Sequence, residues 1–148
     1  DFQNGKRNDP TMASMVAGLS PQDIADISSY FSQQTIKLEG SAEQDGSVDA
    51  LGKKIYKGGN VYSGIPACSS CHGPNGVGIA SAKFPVLAGQ KVDYLIKTLQ
   101  DFRNSSRSND PRSIMQNIAA GMTDNEIKSV ASYIYSLGIM SKAASAAQ

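Results

Sequence analysis

Three features of the 148-residue chain predict an all-α fold. Apolar residues repeat at three- and four-residue spacing, helix-capping signals stand in front of those stretches, and no segment alternates convincingly as a strand would. The chain also repeats itself: DFQNGKRNDP (Asp1 to Pro10) returns as DFRNSSRSNDP (Asp101 to Pro111). MASMVAGLSPQDI (Met12 to Ile24) then aligns with MQNIAAGMTDNEI (Met115 to Ile127), and Ser29-Tyr30 with Ser132-Tyr133. The offset between the copies grows slightly along the alignment, which puts small insertions in a loop and not in a helix. Residues 1–34 therefore read as the C-terminal part of a first module, and residues 48–138 as a complete second one. Between them 35–47, TIKLEGSAEQDGS, is polar and contains Gly and Ser, as a linker does, and 139–148 reads as a C-terminal tail.

In the complete copy Val48, Leu51 and Ile55 share one helical face, and Gly58-Gly59 supply a stop. Val92, Leu95, Ile96, Leu99 and Phe102 form the apolar stripe of a second helix, from about Gln90. A third starts at Thr123, where Thr123 and Glu126 make a capping box, and carries Ile127, Val130, Ala131, Ile134 and Leu137 inward. Its counterpart starts at Ser20 with Pro21 in the first helical position and carries Ile24, Ile27 and Phe31, an apolar face that half a module cannot bury alone. The connections Gly73 to Gly89 and Asn104 to Met122 are long for a small domain. Three short helices joined in this way need a filler at the centre, and a bound planar cofactor would supply the missing apolar contact.

Lys and Arg number 14 against 13 Asp and Glu, so no basic field favours nucleic acid. No apolar run approaches the ~18 residues of a membrane span, and the first residues do not resemble a signal peptide. The chain reads as soluble, and as mature or clipped.

Its only two cysteines lie in one pentapeptide, Cys68-Ser69-Ser70-Cys71-His72, which also holds its only histidine. Two thiols so spaced can each add to one vinyl group of a haem, and the adjacent imidazole then lies under the iron. A thioredoxin-like pair would want a βαβ context, and zinc would need a further ligand. Haem c, covalently bound, is the expected cofactor. A methionine thioether as sixth ligand would raise the reduction potential and close the iron to exchangeable ligands, which suits electron transfer. Met115, Met122 and Met140 are the downstream candidates. Met115 is favoured because it aligns with Met12, each eight residues before its helix-capping hydroxyl, whereas Met122 aligns with Leu19 and reads as a packing position.

The stretch from IPACSSCHGPNGVGIASAKFPVLAGQ through YLIKTLQDFRNSSRSNDPRSIMQNIAAGMTDNEI to ASYIYSLG resembles the second domain of the dihaem cytochrome c4 family. Residues 1–34 are similar to the end of that family's first domain. The resemblance implies a class I cytochrome c fold in tandem modules, short helices and long loops wrapped around covalent haem. It implies electron transport in the bacterial periplasm or at the outer face of the inner membrane, with peripheral membrane association allowed. By the same resemblance Cys68 and Cys71 attach the haem, His72 is the proximal ligand and Met115 the distal one. Pro85 accepts the imidazole N–H through its carbonyl, and Gly52 and Tyr56 sit where the first and last helices cross. Expected partners are a terminal oxidase, a quinol–cytochrome c reductase, or a small copper protein or cytochrome; an electron-accepting subunit of a dehydrogenase would read the same. A haem peroxidase would need a distal acid–base residue, and no second histidine exists.

The first-domain attachment motif would fall about 29 residues upstream of Asp1 by repeat arithmetic. Met12 is then an axial ligand for a second haem that the intact dihaem protein would carry, and the native polypeptide is expected to be longer by about half a domain. Arg103, Arg107 and Arg112 follow the second helix, where guanidinium groups can meet haem propionates. Arg107 and Asn109 are favoured because Arg7 and Asn8 are their counterparts. Lys53, Lys54 and Lys57 read as a wet helix face. From Asn60 to Ala82 no residue is charged. That stretch reads equally as a loop buried by haem packing or as a neutral docking patch whose partner reactions depend weakly on ionic strength.

Overall fold

The computed structural model describes residues 1–34 and 49–146, the last eight of these as backbone alone. Val48, the expected linker at 35–47 and the side chain of Met140 lie outside the described residues. Seven α-helices are formed among those residues, α1 (Pro10–Val16), α2 (Pro21–Ser32), α3 (Ala50–Gly58), α4 (Ser69–His72), α5 (Val92–Arg103), α6 (Ile114–Ala120) and α7 (Asp124–Ala146), with 3-10 turns at Ala80–Ala82 and Pro111–Ser113. There is no strand among them, only single antiparallel bridges at Arg7–Arg107, Asn60–Ile65 and Ile79–Phe84.

Local chemistry sets the helix ends. The Asp49 carboxylate accepts the Gly52 N–H at 2.7 Å to start α3, and Gly59, at φ +71°, ends it in a conformation that suits glycine. At α7, Thr123 Oγ1 accepts the Glu126 N–H while the Glu126 carboxylate accepts the Thr123 N–H, the reciprocal pair expected. Glu126 also accepts from Asn60 Nδ2 at 2.8 Å, so the same carboxylate fastens the Asn60–Ile65 turn to the helix.

The core forms where α3 crosses α7, with α5 and α6 packed alongside. Ile55, Tyr56, Leu95, Ile127, Val130, Ala131, Ile134 and Leu137 are buried there, following the stripes read from the periodicity. The crossing is close because residue 52 is glycine. A Cβ on it would lie 2.0 Å from the Ser129 carbonyl oxygen and 2.9 Å from Tyr133 Cβ. The rings of Tyr56 and Tyr133 meet at 5.4 Å between centroids.

Three expectations need correction. Leu51 is exposed at the edge of α3, so Ile55 and Tyr56 carry its buried face. The Asn104 to Met122 connection is not irregular throughout, since α6 occupies its second half. Residues 139–146, expected as tail, continue α7, because Gly138 stays helical and does not adopt the left-handed conformation that would cap the helix. The apolar face of α2 is uncovered, in keeping with half a module: Ile24, Ile27 and Phe31 are 38%, 43% and 65% exposed, since no described element covers it.

Two outcomes are expected. Gly52→Ala forces a methyl into backbone at the α3–α7 crossing and should lower unfolding free energy by about 3 kcal/mol in denaturant titration. The Glu126 carboxyl is held below its ordinary value, chiefly by the backbone N–H of Thr123 and then by Asn60. Its contribution to stability is full above the ordinary carboxyl pKa of about 4.5 and is lost as pH falls through the depressed value. Glu126→Gln should therefore lower stability at neutral pH and flatten the acid limb of a stability–pH curve; an unaltered limb would refute the assignment.

Candidate functional site

The Cys-x-x-Cys-His sequence forms the single turn of α4, closed by the His72 N–H on the Cys68 carbonyl at 2.9 Å. Both thiols are partly buried and free. His72 is buried, and its Nδ1 lies 3.0 Å from the Pro85 carbonyl oxygen. A carbonyl can only accept, so Nδ1 carries the proton and Nε2 keeps its lone pair. No described residue bonds Nε2. Burial lowers the imidazole pKa, against an opposite pull from the Pro85 bond, so the ring is neutral near pH 7 as metal ligation requires.

The loop from Gly73 to Gly89 delivers Pro85 by folding tightly on itself. Gly78 N–H donates to the His72 carbonyl, Leu87 and Ala88 N–H both donate to the Gly76 carbonyl, and Ile79 pairs with Phe84. A Cβ on Gly78 would lie 2.5 Å from the Phe84 carbonyl oxygen, and Gly78 stands at φ +74°, so no other residue fits there. Tyr56 Oη donates to the Gly73 carbonyl at 2.6 Å, tying the loop to α3. Burial, and then the proximity of Cys68 and Tyr133, push that hydroxyl pKa up to about 12, so it remains a donor.

Burial also pushes the Cys68 thiol up to about 11, the reverse of the depressed pKa that activates redox thiols. Nor do three His, Cys, Asp or Glu side chains converge on a metal-sized site among the described residues. Thiol–disulfide exchange and zinc binding both fit this site poorly. A haem fits it: two thiols and an imidazole with Nδ1 fixed by the Pro85 carbonyl and Nε2 left for a metal lie on one turn.

The other sequence-derived residues are distributed as follows. Met115 is the second residue of α6 and half-buried, whereas Met122 is fully packed into the core, as its alignment with Leu19 implied. Met12 is exposed in α1. Arg107 and Asn109 lie in a seam with residues 1–8. Arg107 Nε donates to Asn109 Oδ1 at 2.8 Å, and Asn109 Nδ2 donates to the Asp1 carboxylate. The Arg107 guanidinium stands 4.5 Å from the Phe102 ring centroid, and Arg7 stands 4.4 Å from that of Phe2. The repeat thus meets itself across the Arg7–Arg107 bridge, where Arg7 also donates to Tyr94 Oη. Arg103 is committed elsewhere, to the Met122 carbonyl and the Asp124 carboxylate, and Arg112 is exposed. The uncharged stretch 60–82 is mixed: His72 and Ile65 are buried, but Val61 and Tyr62 are 83% and 99% exposed.

One contact escaped the sequence reading: the Asp110 carboxylate holds Gln116, next to Met115, by two hydrogen bonds. Its signal was the repeated Asn-Asp-Pro, in which Asp9 caps α1.

The cytochrome c family model matches residues 50–138. Cytochrome c4 of Pseudomonas aeruginosa is 44% identical over 138 residues, covering 93% of this chain and 67% of its own length. The thiosulfate dehydrogenase electron acceptor of Stutzerimonas stutzeri is 33% identical, covering 93% of this chain and 63% of its own length. Reduced recombinant cytochrome c4 from Pseudomonas stutzeri superposes with a TM-score of 0.78 at 40% identity, over 87% of this chain and 67% of that one. With its attachment motif intact and these relatives, the chain belongs to the cytochrome c4 family of class I c-type cytochromes, electron carriers with covalent haem c.

Proposed function

We propose that this protein carries electrons in the bacterial periplasm, toward a terminal oxidase, through a haem c held by Cys68 and Cys71 and ligated by His72 and Met115. The bond from His72 Nδ1 to the Pro85 carbonyl carries the reading, because it leaves one imidazole nitrogen, in one orientation, for iron. The haem supplies a one-electron ferric–ferrous couple. The chain contributes the ligands, a dry surround built from α3, α5 and α7, and a face for redox partners. Enzymatic turnover at this iron is not part of the reading, since His72 is the sole histidine and no second imidazole can serve as a distal acid or base.

The exposed Val61 and Tyr62 favour the docking reading of the uncharged stretch, toward partners such as a quinol–cytochrome c reductase, a small copper protein or another cytochrome. Among the described residues no helix is long and apolar enough to cross a membrane, which is compatible with a periplasmic carrier held peripherally at the inner membrane. Residues 1–34 are proposed as the C-terminal part of a first module, with Met12 ligating its haem and 48–138 as the second module. The uncovered apolar face of α2 supports this. Arg107 and Asn109, half-buried at the seam, are proposed to face haem propionates. A second reading, an electron-accepting subunit working with a dehydrogenase, is favoured by the likeness to a thiosulfate dehydrogenase electron acceptor.

The ferric protein should show a low-spin haem c spectrum with a methionine-to-iron charge-transfer band. Met115→Ala should abolish that band and lower the reduction potential, whereas Met122→Leu should keep both and cost stability alone. Free thiols without Soret absorption would overturn the reading, and loss of the band in the Met122 variant alone would transfer the ligand role.

A further inference from the structure

The two copies of the repeat approach their aligned methionines differently. In the first, Asp9-Pro10 leads straight into α1, and the Asp9 carboxylate accepts the Met12 N–H at 3.0 Å as an ordinary cap. In the second, Asp110-Pro111 is followed by Arg112 at φ +57° and Ser113 at φ +53° before α6 begins. Two consecutive non-glycine residues in the left-handed region are strained, because each Cβ crowds its neighbouring backbone. Both are exposed, so packing does not hold them there. Such strain persists where neighbouring contacts over-determine it.

Those contacts come from Asp110. Its Oδ2 accepts the Gln116 backbone N–H at 3.0 Å and its Oδ1 accepts from Gln116 Nε2 at 2.8 Å, while its carbonyl accepts the Ser113 N–H at 3.3 Å. Ser113 stands at the cap position of α6 and makes no side-chain cap bond, so a carboxylate six residues before Gln116 does that work across the strained turn. The peptide it grips is the one joining Met115 to Gln116. We propose that Asp110 is a positioning residue for Met115: its two-point hold on Gln116 locks the strained Asp110–Ser113 turn, sets the start of α6, and keeps Met115 in place as the sixth ligand. The inference rests on Met115 being that ligand. A plain cap, such as Asp9 provides, needs neither the left-handed pair nor the second bond from the Gln116 side chain.

The test uses the haem-loaded protein and imidazole as a competing iron ligand. Asp110→Ala should raise imidazole affinity of the ferric protein at least ten-fold and weaken the methionine-to-iron band, with helix content unchanged. Gln116→Leu removes the side-chain half of the grip alone and should shift both in the same direction by less, which keeps the test open if the Asp110 variant fails to load haem. Lower thermal stability with unaltered imidazole affinity and band in the variants that load haem would reduce Asp110 to a helix cap and overturn the proposal. Met115→Ala is the separate control: a band that survives there refutes Met115 as ligand, whatever the Asp110 variants do.

Discussion

The proton on His72 Nδ1 governs the architecture around it. Because that proton goes to the Pro85 carbonyl 13 residues away, the loop from Gly73 to Gly89 must return to α4, and it can do so only by folding through Gly76 and Gly78. The Tyr56 hydroxyl on the Gly73 carbonyl anchors the start of that loop, and Tyr56 is itself held under Tyr133 of α7. The chain of contacts thus runs from the α3–α7 crossing at Gly52 to Nδ1 of the imidazole whose other nitrogen iron would meet. A disturbance at the crossing reaches the ligand through one tyrosine and one loop.

Long and short segments divide the labour. The helices α3, α5 and α7 form a packed wall whose apolar residues touch one another, and the short helices α4 and α6 with the loops beside them carry the chemistry. Small class I modules of about 90 residues bury a limited core. Cys68 already packs against that core, so a group attached there adds to it directly. The same economy explains the exposed face of α2. Its stripe is helical and amphipathic, yet Ile24, Ile27, Tyr30 and Phe31 have no described partner elements to pack on.

Periodicity made α5 and α7 legible because their stripes face one continuous core, and capping chemistry at Ser20 and Thr123 located two helix starts directly. The attachment motif was legible because its residues are contiguous. Pro85, Gly52 and Tyr56 came from family resemblance and not from spacing, since a carbonyl acceptor or a steric gap leaves no trace in side-chain pattern. The extension of α7 past Gly138 was missed because glycine marks a helix end only when it turns left-handed. Arg103 was grouped with propionate-facing arginines by position, but a carbonyl at residue 122 and a carboxylate at residue 124 lie closer. Asp110 was passed over because the turn it spans contains two residues whose types carry no left-handed preference.

The claim on which the rest depends is that the chain folds around a covalently attached haem. Intact mass of the purified native protein under denaturing, reducing conditions measures this directly. The account predicts that the polypeptide containing Cys68 and Cys71 carries haem that survives denaturation, localised by proteolysis to the peptide spanning both cysteines. A polypeptide at its bare mass, with both thiols free to alkylate, would contradict it.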